Sequence, residues 1–375
     1  MRYKEDWDNV KQRFEAFFAG GDIGRPLLQV TAPKRNITVK PDWNWWTIAH
    51  NLDHPEKALE SFEYYCQSTF FGAEALPNLA INLGAGSLAG YLGCVPTIAE
   101  DTIWFEERRI DSYQDILNLN IDPGNYWWQK TLEITRLSAD FGRGKYLTGQ
   151  ADLNAVLNIL AFLRGNERLL MDLIDHPDEV KQAADHLTNL WFYCYDELAK
   201  IINQHSDGMT TWMDVWFPGR GSDVQCDFSA MISPAMFAEF VLPHLQDQCR
   251  RLDYSIYHWD GPGQIPHLEI LLDIPELDGI QWVPGAGQPG PGSPKWFPLY
   301  HRIQKRGKLL VLSVVDKKDV LNLVENLSPR GLLIQTQCDN EDEARELIAR
   351  VERSARKANQ SLTTANFSNL TVSAN

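Results

Sequence analysis

Positive charge is scarce in this 375-residue chain, where 35 Lys and Arg stand against 50 Asp and Glu for a formal net charge of −15. A protein that grips a phosphate backbone needs clustered Lys and Arg, so nucleic acid is excluded as a partner. A substrate rich in carboxylates is disfavoured as well, unless a local basic pocket rescues it. Cysteine is also sparse. The 6 residues Cys66, Cys94, Cys194, Cys226, Cys249 and Cys338 fall at irregular spacings without a CxxC pair. That pattern excludes a disulfide scaffold and reads as buried thiols in a reducing compartment. No apolar run approaches the roughly 18 residues of a membrane span. The opening run MRYKEDWDNVKQRFEAFF is a charged amphipathic helix and not a signal peptide. A cytoplasmic protein that acts on a small molecule is the expectation.

What the chain does have is ordinary globular balance, 44% hydrophobic and 23% charged residues, and enough length to bury a large core. It also has 13 tryptophans. Trp212, Trp216, Trp259 and Trp282 fall beside expected strand ends, where they read either as core or as flat apolar pocket walls. Many Trp and Phe residues also leave room for a homodimer interface.

Short apolar runs alternate with long helical patterns, the mark of parallel βα units. Eight strands are expected, from runs opening at Pro26, Leu76, Lys145, Met209, Ser255, Gly279, Lys308 and Gly331. A long Gly-containing loop follows the Met209 run. Helices are expected at 153–163, 169–174 and 177–202, and another begins at Pro234 with Ser233 as its N-cap. Eight such units without a composition break predict an α/β fold, a closed (β/α)8 barrel over 25–357. An N-terminal helix in 1–24 packs on it, and 358–375 is a flexible tail. In such a barrel the site lies where strands run into their following loops.

The run Tyr257-His258-Trp259-Asp260-Gly261-Pro262-Gly263 is the most informative. His258 and Asp260 lie two apart on a strand and so share a face. Together they can hold a metal ion or act as an oriented acid/base couple. Gln281 and Cys338 sit at other strand ends and are candidate co-ligands. Asp214 is a candidate pocket acid or base, with a salt bridge to Arg220 as the structural alternative. Asp227 reads as a capping or loop-fixing residue. Asn82 and Gln150 end strands and can bind substrate, and Lys34 and Arg35 can clamp an anionic group.

On the runs 163–180, 233–245, 258–263 and 331–337, the chain resembles the uroporphyrinogen decarboxylase superfamily, in its methyltransferase-like branch. The resemblance covers most of 20–355 and implies a (β/α)8 barrel with one deep site. It does not extend to the decarboxylase's working residues. Of that enzyme's two loop arginines the first falls on Thr31 and the second on Arg35; its essential Asp falls on Asn78, and its last-strand His on Cys338. The zinc-dependent relatives that move methyl groups between a corrinoid and a thiol use an HxC motif and a second Cys on the last strand. Here His258 and Cys338 match, Asp260 replaces the middle Cys, and Gln281 sits where some relatives place Glu. The resemblance therefore implies zinc held by His258, Asp260, Cys338 and Gln281. From their positions at strand ends or in the loops that follow, Asp260 and Asp214 are the catalytic candidates, and Arg35, Asn82, Gln150, Trp212, Trp259 and Trp282 are the expected substrate-binding residues. With no DxHxxG corrinoid motif in the chain, the corrinoid is expected on a separate protein.

The alternatives are uroporphyrinogen decarboxylation, glycoside hydrolysis by Asp214 and Asp260, and a non-catalytic small-molecule-binding barrel.

Overall fold

The computed structural model describes residues 1–35 and 39–372, with side chains described up to Arg356. It is an α/β protein whose longer strands pair mostly in parallel. None of its described helices is long and apolar enough to cross a membrane. All six cysteines are free and buried. The chain gathers into two compact units, one of Met1–Glu5, Lys40–Gln67 and Leu76–Asp278, the other of Asp6–Val39, Ser68–Ala75 and Gly279–Asn375.

The second unit is built on a sheet of continuous apolar runs. Strand Leu27–Pro33 pairs in parallel with Leu332–Gln337, which pairs with Leu309–Val315, which pairs with Gly279–Val283. The segments LLQV, LLVL and LLI are buried on both faces, as parallel strands covered by helices must be. Strand Thr69–Ala73 closes one edge in the antiparallel sense. Helix Trp7–Phe18 buries Val10, Phe14 and Phe17 at helical spacing. Beside that edge strand Glu74, 1% exposed, takes two hydrogen bonds of 2.7 Å from Arg25. It takes a third of 2.6 Å from Arg13 and a fourth of 2.9 Å from the Leu28 amide. Helix Glu341–Val372 ends the described chain. The expected flexible tail falls where side chains, and at 373–375 the backbone, lie outside the described residues.

The first unit holds four short ladders. Asn78–Ala80 pairs in parallel with Leu147–Gly149, and Gly221–Gln225 with Tyr254–Asp260. Pro96–Ile98 with Ile103–Phe105, and Met209–Thr210 with Trp216–Phe217, are antiparallel. Its longest helix, Pro177–Ile202, starts with Pro at the first turn, where the missing N–H costs nothing. That helix buries Val180, Ala183, Ala184, Leu187, Trp191, Cys194, Tyr195 and Leu198 along one stripe. At the junction of Val156–Arg164 and Asn166–Asp175, Arg164 donates to Asp172 at 2.5 and 2.7 Å, and to the carbonyls of Ile110 and Asp111.

Each of the eight expected runs carries a strand, but the count was short. The loop read after the Met209 run contains Trp216–Phe217 and Gly221–Gln225, the latter buried at all five positions despite its polar sequence GSDVQ. The helix expected from Pro234 is two, Pro234–Phe240 and Leu242–Arg251. Pro243 has no N–H to continue the first helix, so the chain breaks at Val241. Ser233 caps as expected, its Oγ accepting from the Met236 amide at 3.2 Å. Among the described residues, the strands of neither unit taken by itself close into a ring.

Candidate functional site

Strand Tyr254–Asp260 alternates as a pleat requires: Tyr257 and Trp259 are buried, while His258 and Asp260 keep partial access on the opposite face. Gly261 follows at φ +77°, a conformation side chains rarely tolerate, and turns the chain away after Asp260. In the parallel neighbour, Asp223 lies opposite Ile256 and Gln225 opposite His258. That strand ends at Gln225, and after Cys226 the chain enters a 3-10 turn whose first residue is Asp227. One ligand atom each from Asp227, His258 and Asp260 falls within 4.8 Å of the others.

A second strand pair supplies the facing wall. Gly149 allows close approach, since a Cβ there would meet Asn78 Oδ1 at 2.9 Å and Ala80 Cα at 3.1 Å. Beyond Gly149 the chain delivers Gln150 and Asp152 into the lining of a cavity of about 250 Å³. Trp45, Trp46, Asn82, Trp212, Gln225, Asp227, His258 and Asp260 line it too, and none of its lining residues is Lys or Arg. Asn82 fixes the wall by donating from Nδ2 to the Trp45 carbonyl at 2.9 Å and accepting from the Gly84 amide at 3.0 Å. Trp212 sets its ring edge-on to His258, centroids 5.0 Å apart, and donates from Nε1 to Asp223 at 3.0 Å. A larger cavity of about 420 Å³ shares Ala85 and Asp227 with the first and is lined by Trp104, Phe105, Phe162 and Met231.

Amides hold these carboxylates. Asn158 Nδ2 donates to Asp227 Oδ2 at 2.9 Å and to Asn154 Oδ1 at 2.7 Å. Asp152 Oδ1 accepts from the Asn154 amide at 2.7 Å and from Gln225 Nε2 at 3.1 Å. Hydrogen bonds from neutral donors do not cancel the charge. Burial, with Asp223 and Asp227 close by, pushes the Asp152 carboxyl well above its ordinary value. Burial also raises Asp223 against the pull of Thr211, Trp212 and His258. Asp260 rises through burial and the nearness of Asp227, opposed by His258. Gln150 is 2% exposed, and neither its amide nitrogen nor its oxygen has a hydrogen-bond partner among the described residues.

Of the residues expected at a site, His258, Asp260, Asn82, Gln150 and Trp212 come together in this lining. Trp259 and Trp282 are outside this lining. Both are fully buried, Trp259 donating to the Gln264 carbonyl at 2.9 Å and Trp282 packing edge-on to Trp296. Asp214 is outside the lining. It is exposed, yet dense surroundings raise its carboxyl to about 6 against a 2.8 Å hydrogen bond from Asn78 Nδ2. Arg220 pairs with Asp196 instead of Asp214.

In the second unit, the Gln281 amide donates to Ser313 Oγ at 2.7 Å, and exposed Arg35 pairs with Asp342. Cys338 is buried there, and burial pushes its thiol up to about 11. The three-ligand cluster does not include it. The cluster's third member is Asp227, expected as a capping or loop-fixing residue, and Asp152 and Asp223 were not among the expected site residues. The strand-end rule that singled out Gln150 also reaches Asp152, two positions on. Asp223 and Asp227 were hidden in or just past a strand that read as loop.

No protein-family model matches this chain, and no curated protein matches it. A solved structure described as a methyltransferase from Methanosarcina mazei is similar at 12% identity with a TM-score of 0.60. The likeness covers 92% of this chain and 98% of that one. At that identity it speaks for the fold.

Proposed function

We propose that this chain is a methyltransferase-like enzyme on a (β/α)8 barrel, using one divalent metal ion held by Asp227, His258 and Asp260. The observation that carries the reading is that cluster, lying at one small cavity and within 4.8 Å. The likeness in fold to a methyltransferase over 92% of the chain supports the class of reaction. The donor set fits. Zinc takes imidazole nitrogen and carboxylate oxygen, and three protein ligands leave a position open for a reactant. A dication between two carboxylates and a neutral imidazole also removes the repulsion that raises Asp260.

When bound, the ion supplies Lewis acidity that lowers the proton affinity of an acceptor thiol or hydroxyl. The chain's own residues do the rest. Asn158 fixes the Asp227 carboxylate from outside the cluster. Trp212 holds the His258 ring by its edge and keeps water from that side. Asn154 and Gln225 orient Asp152 toward the same space. The methyl carrier in this reading is a corrinoid on a separate cytoplasmic protein. Asp214, outside the lining, takes no part.

The test is metal content of the purified full-length protein by plasma mass spectrometry, beside methyl transfer between methylcobalamin and a thiol, followed by visible absorbance. About one zinc per chain is expected, with transfer falling at least 100-fold in His258→Ala while the fold is kept. A wild type that takes up no divalent metal when it is supplied would overturn the reading.

A further inference from the structure

Once Asp227, His258 and Asp260 are assigned to a metal, the rest of the lining still has a distinct chemistry. Three tryptophans remain (Trp45, Trp46 and Trp212), with Asp152, Gln150, Gln225 and Asn82. No Lys or Arg lines the space, so within the lining the Asp152 carboxylate meets only the neutral donor Gln225, and no such cation lies against the indoles. Trp212 has its N–H committed to Asp223, and its ring is thereby fixed at the cavity. Indole faces with a carboxylate nearby attract cations that cannot donate hydrogen bonds, methylated ammonium groups above all. At about 250 Å³ the cavity is smaller than the roughly 300 Å³ where pockets for drug-sized ligands begin. Its ligand is therefore small.

A second, independent observation points the same way. Gln150 is buried at the lining with both amide atoms unpartnered among the described residues, an arrangement that costs stability unless a ligand answers it. A neutral amide offers one acceptor and a pair of donors, so the ligand carries a polar neutral group beside its charged head.

We propose that Trp45, Trp46, Trp212, Asp152 and Gln150 form the recognition site for a small methylated ammonium bearing a hydroxyl or carbonyl group. The proposal is one of binding alone and does not rest on the methyl-transfer reading.

The experiment is calorimetric titration of the full-length protein with choline and, separately, with 3,3-dimethylbutan-1-ol, which has the same shape without the charge. Choline is expected to saturate and to bind at least tenfold more tightly than the alcohol. Trp45→Ala, at a residue 44% exposed and outside the core, should weaken choline about tenfold, and Asp152→Asn should do the same. Equal affinity for the two probes, or no saturable choline binding, would overturn the site. Zinc uptake by the same samples separates the two claims. Choline binding retained in a zinc-free His258→Ala variant leaves this site standing without the metal, and zinc uptake without choline binding sinks this inference alone.

Discussion

Glu74 in the second unit and Asp152 in the first are both carboxylates with little water around them, and the chain treats them in opposite ways. Glu74 is gripped at both oxygens by Arg25 and again by Arg13. Burial alone would raise it, but these hydrogen bonds and charges hold it below its ordinary value. Asp152 receives only neutral donors and faces two further carboxylates, so burial and repulsion carry it well upward. The first arrangement is complete within the protein and serves the fold. The second is left with burial and repulsion that a proton or an external cation would relieve, and the proposed cation sites rest on that difference.

The sharpest way to break the comparison is to make Glu74 resemble Asp152. Arg25→Ala leaves Glu74 buried with the partly exposed Arg13 as its remaining cation. Removing one partner of a buried pair costs about 3–5 kcal/mol. Urea denaturation should register a loss of that size, and a loss below about 1 kcal/mol would show that Arg13 suffices. The pH dependence has a definite sign. A carboxyl held low in the folded state contributes stability above the unfolded carboxylate range, and that contribution is lost as pH falls through its folded value.

The converse substitution, Asp152→Asn, removes a charge that nothing in the protein balances. A gain of about 1 kcal/mol at neutral pH is expected, at the expense of ligand binding. Because the folded carboxyl is raised, wild-type Asp152 loses stability as pH rises from its unfolded range, near 4, toward its folded value. The advantage of Asp152→Asn should therefore vanish below about pH 4, and a variant equally stabilised at pH 3 and pH 7 would refute the assignment.

How much of this was legible in the sequence depends on whether the cause is local. Pro177 opens its helix and Ser233 caps the next one, because each acts within a turn of itself. The His258–Asp260 pair shared a face, because alternation is a property of any strand. The strand Gly221–Gln225 was not legible. Its residues are polar, and what buries them is remote in sequence: Trp212 for Asp223, Asp152 and Asn154 for Gln225. Asp227 read as a loop-fixing residue for the same reason. It does take a hydrogen bond from Asn158, but nothing local announces that His258 and Asp260 lie beside it. For Trp259 and Trp282 a strand-end position leaves core and pocket wall both open, and packing decides which way each indole turns; both are buried.

The central claim is that the acidic cavity completes itself with a cation at Asp227, His258 and Asp260. Its most direct test is competitive zinc titration of wild type, Asp227→Asn and Cys338→Ser against a chromophoric chelator. The account predicts one tight site in the wild type, affinity at least tenfold weaker in Asp227→Asn, and no change in Cys338→Ser. Loss of the site in Cys338→Ser with Asp227→Asn unaffected would contradict it.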